Sequence, residues 1–237
     1  MRAPRSTTAD RLAAVLWDMD GTLVDTEPYW IATEFAMAER HGGTWSTEHA
    51  LNLVGKALLH SGVYIREHMG IDLTPEEIVE ELLDGVVALV RQEVPWRPGA
   101  RELLTEIRAA ALPTALVTTT PRRLADLVLA QLARDLDVPP FDLTVCGDEV
   151  PARKPDPAPY HQAMAALGVD ADGCVAVEDS LSGATAGLAA GAAVLGVPSL
   201  QPLPALPGLV LRDTLAGVRP ADLAEVLAAR DAAHAGA

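Results

Sequence analysis

The chain has 237 residues, 49% hydrophobic and 22% charged, which excludes a disordered or low-complexity protein. That length predicts one or two domains with a core that needs no disulfide or metal staples. Its 33 acidic against 18 basic residues leave a net charge of −15, which argues against binding to nucleic acid or an anionic membrane.

Residues 1–11 are basic, but no apolar signal core follows them. The run Ala13-Ala14-Val15-Leu16-Trp17 predicts a buried strand that ends in the acidic turn Asp18-Met19-Asp20-Gly21-Thr22. Alternation points Trp17 away from Asp18, toward core packing. A helix is expected from Pro28 toward His41, where Gly42-Gly43 stops it. Thr74-Pro75-Glu76-Glu77 is a capping box, opening a helix that runs to about Gln92. Trp96-Arg97-Pro98-Gly99 then punctuates the chain. The whole block between the first strand and Trp96 reads as helical and as a small separate domain. Within it, Trp30 and Trp45 are read as core filling, with pocket lining as the alternative. His41, His49, His60 and His68 match no zinc-ligand spacing and are read as surface or pocket-lining residues.

After Pro98, short apolar strands alternate with helices. The strands are Thr114-Ala115-Leu116-Val117-Thr118, Leu143-Thr144-Val145-Cys146, Cys174-Val175-Ala176-Val177 and residues 192–197. Thr120 is read as the N-cap of a helix starting at Pro121. Asp156-Pro157 caps another helix, ending at Gly168, and a last helix starts at Pro220. This alternation predicts an α/β fold, a parallel sheet covered on both faces. Residues 180–211 carry no charge and are long enough to suggest a membrane span. Five glycines and four prolines interrupt them, so they are read as a short helix and a buried strand. Cys146 and Cys174 make no disulfide framework, which fits a reduced, cytoplasmic setting.

In open α/β sheets, ligands bind outside the carboxyl ends of the strands. Asp18, Asp20, Thr118, Lys154, Glu178 and Asp179 all fall there. So many carboxylates in one crevice repel one another, and a divalent cation is the natural remedy. Oxygen ligands favour Mg²⁺, which also takes a substrate phosphate oxygen, so the site reads as metal-assisted phosphoryl chemistry. Lysine usage is an independent signal. Of 18 cationic residues only Lys56 and Lys154 are lysine, which suggests positions where a compact point charge is needed.

Four segments, Asp18-Met19-Asp20-Gly21-Thr22, Thr118 after Ala115-Leu116-Val117, Arg153-Lys154-Pro155-Asp156-Pro157 and Val177-Glu178-Asp179-Ser180, resemble the four motifs of the haloacid dehalogenase superfamily. The resemblance is to the branch of sugar-phosphate phosphatases and β-phosphoglucomutases with a helical cap. It implies a Rossmann-like parallel core, residues 1–26 and 97–237, and an inserted α-helical cap, residues 27–96. It also implies roles. Asp18 would be the nucleophile and form an aspartyl-phosphate. Asp20 would be the general acid and then the base, its backbone carbonyl binding Mg²⁺. Asp179 would bind the metal directly, and Glu178 directly or through water. Thr118 would donate to the phosphoryl group, with Thr119 as the neighbouring candidate, and Lys154 would neutralise charge. Glu27, where the chain leaves for the cap, and Lys56, inside it, are candidate substrate contacts.

The expected activity is Mg²⁺-dependent hydrolysis of a small phosphomonoester, with a sugar phosphate as the expected substrate. Asp20 argues against the dehalogenase and phosphonate-cleaving branches, since an oxygen leaving group needs a proton. The alternative is a phosphosugar mutase. A receiver domain is disfavoured by length, and a catalytically silent binding module by the intact acidic set. The expected partner is a small phosphorylated metabolite and the expected state a monomer.

Overall fold

The computed structural model describes residues 11–235, so the basic stretch ahead of Arg11 lies outside the described residues. Six strands form one parallel sheet: β1 (Ala14–Trp17), β2 (Thr114–Val117), β3 (Leu143–Val145), β4 (Cys174–Glu178), β5 (Ala193–Gly196) and β6 (Leu209–Leu211). Their spatial order is β3-β2-β1-β4-β5-β6, and every pairing is parallel. The order reverses direction at β1, which opens a crevice beside its carboxyl end.

The two-residue period of a strand explains the short apolar runs. Val15, Trp17, Leu116, Val175 and Val177 belong to one buried cluster, while Ala14, Leu16, Ala115, Val117 and Ala176 belong to another on the opposite face. Helices α5 (Ala100–Ala109), α6 (Arg122–Leu136) and α9 (Pro220–Ala235) cover the first face with Leu103, Ile107, Leu124, Val128, Leu223 and Leu227. Helices α7 (Ala158–Leu167) and α8 (Leu181–Ala189) cover the second with Tyr160, Ala163, Ala184 and Ala186. The uncharged stretch is thereby spent on α8, β5 and β6, and among the described residues no helix is long and apolar enough to cross a membrane.

Four helices intervene between β1 and α5: α1 (Glu27–His41), α2 (Thr47–Leu53), α3 (Leu58–Met69) and α4 (Pro75–Val90). They bury a cluster of their own around Met37, Ile65, Met69, Ile78 and Leu82. A second stripe on α4, Leu83, Val86, Val87 and Val90, packs into the cluster on the sheet. Thr74 caps α4 as expected: its hydroxyl accepts the Glu77 N–H at 3.2 Å, and the Glu77 carboxylate accepts the Thr74 N–H at 2.8 Å. Gly42, at φ +69°, ends α1. The outgoing and returning chains run side by side, with Asp25 N–H on Pro95 O at 2.8 Å and Arg97 N–H on Leu23 O at 3.0 Å. The helical block is thus tied by two adjacent segments to the rim of the crevice.

Candidate active site

Asp18 follows β1 directly, and its N–H donates to Val177 O at 3.1 Å, so the acidic turn is fastened to the neighbouring strand. β4 delivers Glu178 and Asp179 beside it. One carboxylate oxygen from each of Asp18, Glu178 and Asp179 lies within 4.8 Å of the others, and all three side chains are buried. Gly21, at φ +79°, lets the chain turn there, and a Cβ at that position would stand 2.2 Å from Asp179 Oδ2.

Lys154, on the loop after β3, donates to Asp18 Oδ1 and Glu178 Oε1, both at 2.6 Å. The Tyr160 hydroxyl, from α7, donates to the same Glu178 oxygen. Glu178 Oε2 is buried without a partner. Burial lifts Asp179 well above the ordinary carboxylate range, and the nearby Asp18 and Glu178 charges lift it further. Burial likewise lifts Glu178 to about 7 against the pull of Lys154. For Lys154 itself, burial opposes the charge, but Asp18 and Glu178 outweigh it and hold the ammonium above its ordinary range.

This set fits a divalent cation. The donors are hard carboxylate oxygens, and a positive charge would offset the burial and the mutual repulsion that raise Asp179 and Glu178. One ammonium cannot balance three buried carboxylates.

Asp20 lies beside this cluster and is held differently. Thr26 donates its hydroxyl to Oδ1, and Thr120 donates to Oδ2 at 2.5 Å. Burial raises its carboxyl, and the two hydroxyls only partly offset that rise. Thr120 does not cap the next helix, contrary to the sequence expectation. α6 begins at Arg122 with Pro121 in the cap position and no side-chain cap, and the N–H groups of Leu124 and Ala125 reach the Pro121 carbonyl at 3.0 and 3.1 Å. The hydroxyl is left for Asp20. β2 stops at Val117, one residue short of the expected strand; Thr118 follows it with its hydroxyl accepting the Thr120 N–H at 3.1 Å, while Thr119 and Thr120 line the cleft.

A cleft open to solvent lies above these groups. Asp18, Asp20, Lys154 and Asp179 form its floor, and the helical block supplies the opposite wall. Glu27 lies in that wall, accepting a hydrogen bond from Ser199 at 3.0 Å, and burial raises its carboxyl. Lys56 is exposed on the link between α2 and α3 and borders the cleft. Trp30 lines the cleft as well as packing on the core, so core filling alone does not describe it. Trp45 packs inside the helical block and donates its indole N–H to Glu34 at 2.9 Å. His49 and His68 belong to a small aromatic group with Trp45 and Tyr64.

Sequence reasoning passed over Thr26, Tyr160, Ser199 and Glu34. The first stands next to Glu27, beyond the acidic turn, and carries no motif of its own. Tyr160 and Ser199 are distant in sequence from Glu178 and Glu27, and nothing local marks them.

A family model for haloacid dehalogenase-like hydrolases matches residues 12–191. The chain belongs to that family. This haloacid dehalogenase-like hydrolase is 29% identical over 203 residues to hexitol phosphatase B of Escherichia coli K12, covering 81% of this chain and 86% of that protein. It is 32% identical over 181 residues to the phosphorylated carbohydrates phosphatase of Thermotoga maritima, covering 76% and 82%. An N-acetylmuramic acid 6-phosphate phosphatase of Pseudomonas aeruginosa is 34% identical over 185 residues, covering 76% and 79%. Among solved structures, CbbY from Rhodobacter sphaeroides in complex with phosphate superposes with a TM-score of 0.78 at 28% identity, over 90% of this chain and 99% of that one. The hydrolase therefore shares its fold, over nine-tenths of its length, with a relative solved in complex with phosphate.

Proposed function

We propose that this hydrolase is a Mg²⁺-dependent phosphatase that cleaves a small phosphomonoester, a sugar or polyol phosphate, through an aspartyl-phosphate on Asp18. The observation that carries the reading is the meeting of Asp18, Glu178 and Asp179 with Lys154 at one point, beside a separately held Asp20. The relatives named as phosphatases of hexitols and phosphorylated carbohydrates support the substrate class.

Asp18 attacks phosphorus through a carboxylate oxygen, and the bond from phosphorus to the ester oxygen breaks. Asp20, whose burial favours the protonated form, gives its proton to the departing alkoxide. Asp20 then takes a proton from water, whose oxygen attacks the aspartyl-phosphate and releases inorganic phosphate. Splitting one displacement into two lowers each barrier. Lys154 holds Asp18 in place and offsets charge on the phosphoryl oxygens. Asp18, Asp179, Glu178 and the Asp20 carbonyl would hold Mg²⁺, which supplies further charge neutralisation when bound. Thr118 and Thr119 are the assigned phosphoryl contacts, and Glu27 and Lys56 the assigned substrate contacts from the opposite wall.

The division into a core (1–26 and 97–237) and a cap (27–96) belongs to the same reading, supported by the apolar cluster that α1–α4 bury among themselves. So does a cytoplasmic monomer that binds neither nucleic acid nor membrane, supported by the net charge of −15 and two free, buried cysteines. The test is turnover of p-nitrophenyl phosphate with Mg²⁺. Loss of turnover in Asp18→Asn and on chelation is expected; turnover that survives Asp18→Asn overturns the reading.

A further inference from the structure

Glu34 stands on α1 seven residues beyond Glu27, on the same helix face and about 10 Å further along the axis. It is only 4% exposed, yet it lines the cleft among Trp30, Ile31, Leu53 and Leu82. Trp45 occupies one carboxylate oxygen; among the described residues the other receives no hydrogen bond, and no cation pairs with the group. Burial, opposed only by the Trp45 bond, lifts the carboxyl to about 7. Such a group is costly in an apolar wall unless something approaches it. The reaction assigned to Asp18 and Asp20 makes no use of it.

We infer that Glu34 is a specificity residue: from the helical end of the cleft it accepts a hydrogen bond from a neutral substrate hydroxyl far from the phosphate. The inference rests on the phosphatase reading above and adds which esters are chosen. A wall built to bond a hydroxyl rejects an analogue that lacks it, because the buried carboxylate stays unpaired. It also rejects a second anionic group at that end, since like charges meet in a place with no buried cation to separate them. Lys56 does not supply one, being exposed at the lip. Polyol or sugar monophosphates are thereby favoured over bisphosphates, and the same chemistry disfavours a mutase that must hold a sugar bisphosphate.

The test compares sorbitol 6-phosphate, 1-deoxysorbitol 6-phosphate and sorbitol 1,6-bisphosphate at pH 8, where Glu34 is ionised. The wild-type protein is expected to prefer the first by about 10- to 100-fold in kcat/KM, mainly through KM. Glu34→Met, which leaves neither an acceptor nor a donor facing the cleft, should erase most of that preference. Trp45→Phe, which removes the indole donor but leaves the carboxylate, should keep it. A wild-type protein that cleaves p-nitrophenyl phosphate without preferring sorbitol 6-phosphate overturns the inference and leaves the phosphatase standing. So does a preference that survives Glu34→Met, or one lost equally in Trp45→Phe. No turnover of any ester, p-nitrophenyl phosphate included, counts instead against the proposed function.

Discussion

Lys154 Nζ and Asp18 Oδ1 lie 2.6 Å apart, with the lysine side chain 3% and the aspartate side chain 11% exposed. The pair joins a loop after β3 to the end of β1, and the second bond of Lys154, to Glu178, extends the join to β4. Three strand ends are therefore set around one ammonium. Removing one member of a buried charged set leaves the others uncompensated. Lys154→Met is expected to lower kcat with p-nitrophenyl phosphate at least about 100-fold. Lys154→Arg should not restore it, because a planar fork cannot replace a compact charge bonded to two carboxylates at once. Steady-state kinetics on the folded variants, checked by circular dichroism, decide it.

Gly183 lies in the first turn of α8, where a Cβ would stand 1.8 Å from Glu178 Oε2. That oxygen is the one with no partner. Alanine ordinarily favours a helix over glycine, so any loss in Gly183→Ala is owed to the displaced carboxylate. We expect Mg²⁺ affinity to fall about 10- to 100-fold, as when the shell behind a metal ligand is disturbed. Isothermal titration with Mg²⁺ measures it; unchanged affinity would remove Glu178 from the ligand set.

The Thr120 hydroxyl donates to Asp20 at 2.5 Å. It is a positioning residue for the acid. Thr120→Val should lower kcat about tenfold with little change in KM, since a misaimed proton donor affects the transition state alone. Thr120→Ser should recover most of the loss. A rise in KM with constant kcat would assign Thr120 to substrate binding instead.

The strands of this fold were legible because both faces of the sheet are covered, which turns each strand into a short apolar run. β6 was not expected, because Leu209–Leu211 is three residues long and follows a proline-rich stretch. Asp18, Glu178 and Asp179 were legible because each sits at or just beyond a strand end, and Lys154, further along the loop after β3, because lysine is so scarce in this chain. Thr120 was misread because a Thr before Pro at a helix start looks like a cap, and nothing local announces a partner a hundred residues earlier. Tyr160 and Ser199 have the same difficulty, being brought to Glu178 and Glu27 by tertiary packing alone. For Glu34 a signal existed: its seven-residue spacing from Glu27 puts both carboxyls on one face of α1.

Glu34 also makes stability depend on pH. Its folded value, about 7, lies above the ordinary 4.5, so the native state holds its proton more tightly than the unfolded chain. That contribution is complete below pH 4.5 and is lost as pH rises through about 7. Glu34→Gln does not titrate and keeps an acceptor for Trp45. Between pH 4 and pH 8 its stability should gain on the wild type by up to roughly 3 kcal/mol. Urea denaturation at the two pH values gives the difference; a gap that does not move with pH would mean the carboxyl is solvated.

The central claim is that Asp18 carries the phosphoryl group between ester and water. Acid-quenching the protein during turnover of p-nitrophenyl phosphate and reducing it with borohydride converts an aspartyl-phosphate to homoserine, which peptide mass spectrometry locates. The account predicts homoserine at residue 18 and nowhere else, with none formed when substrate is withheld. Full turnover with Asp18 recovered only as aspartate, or the label at another residue, would contradict it.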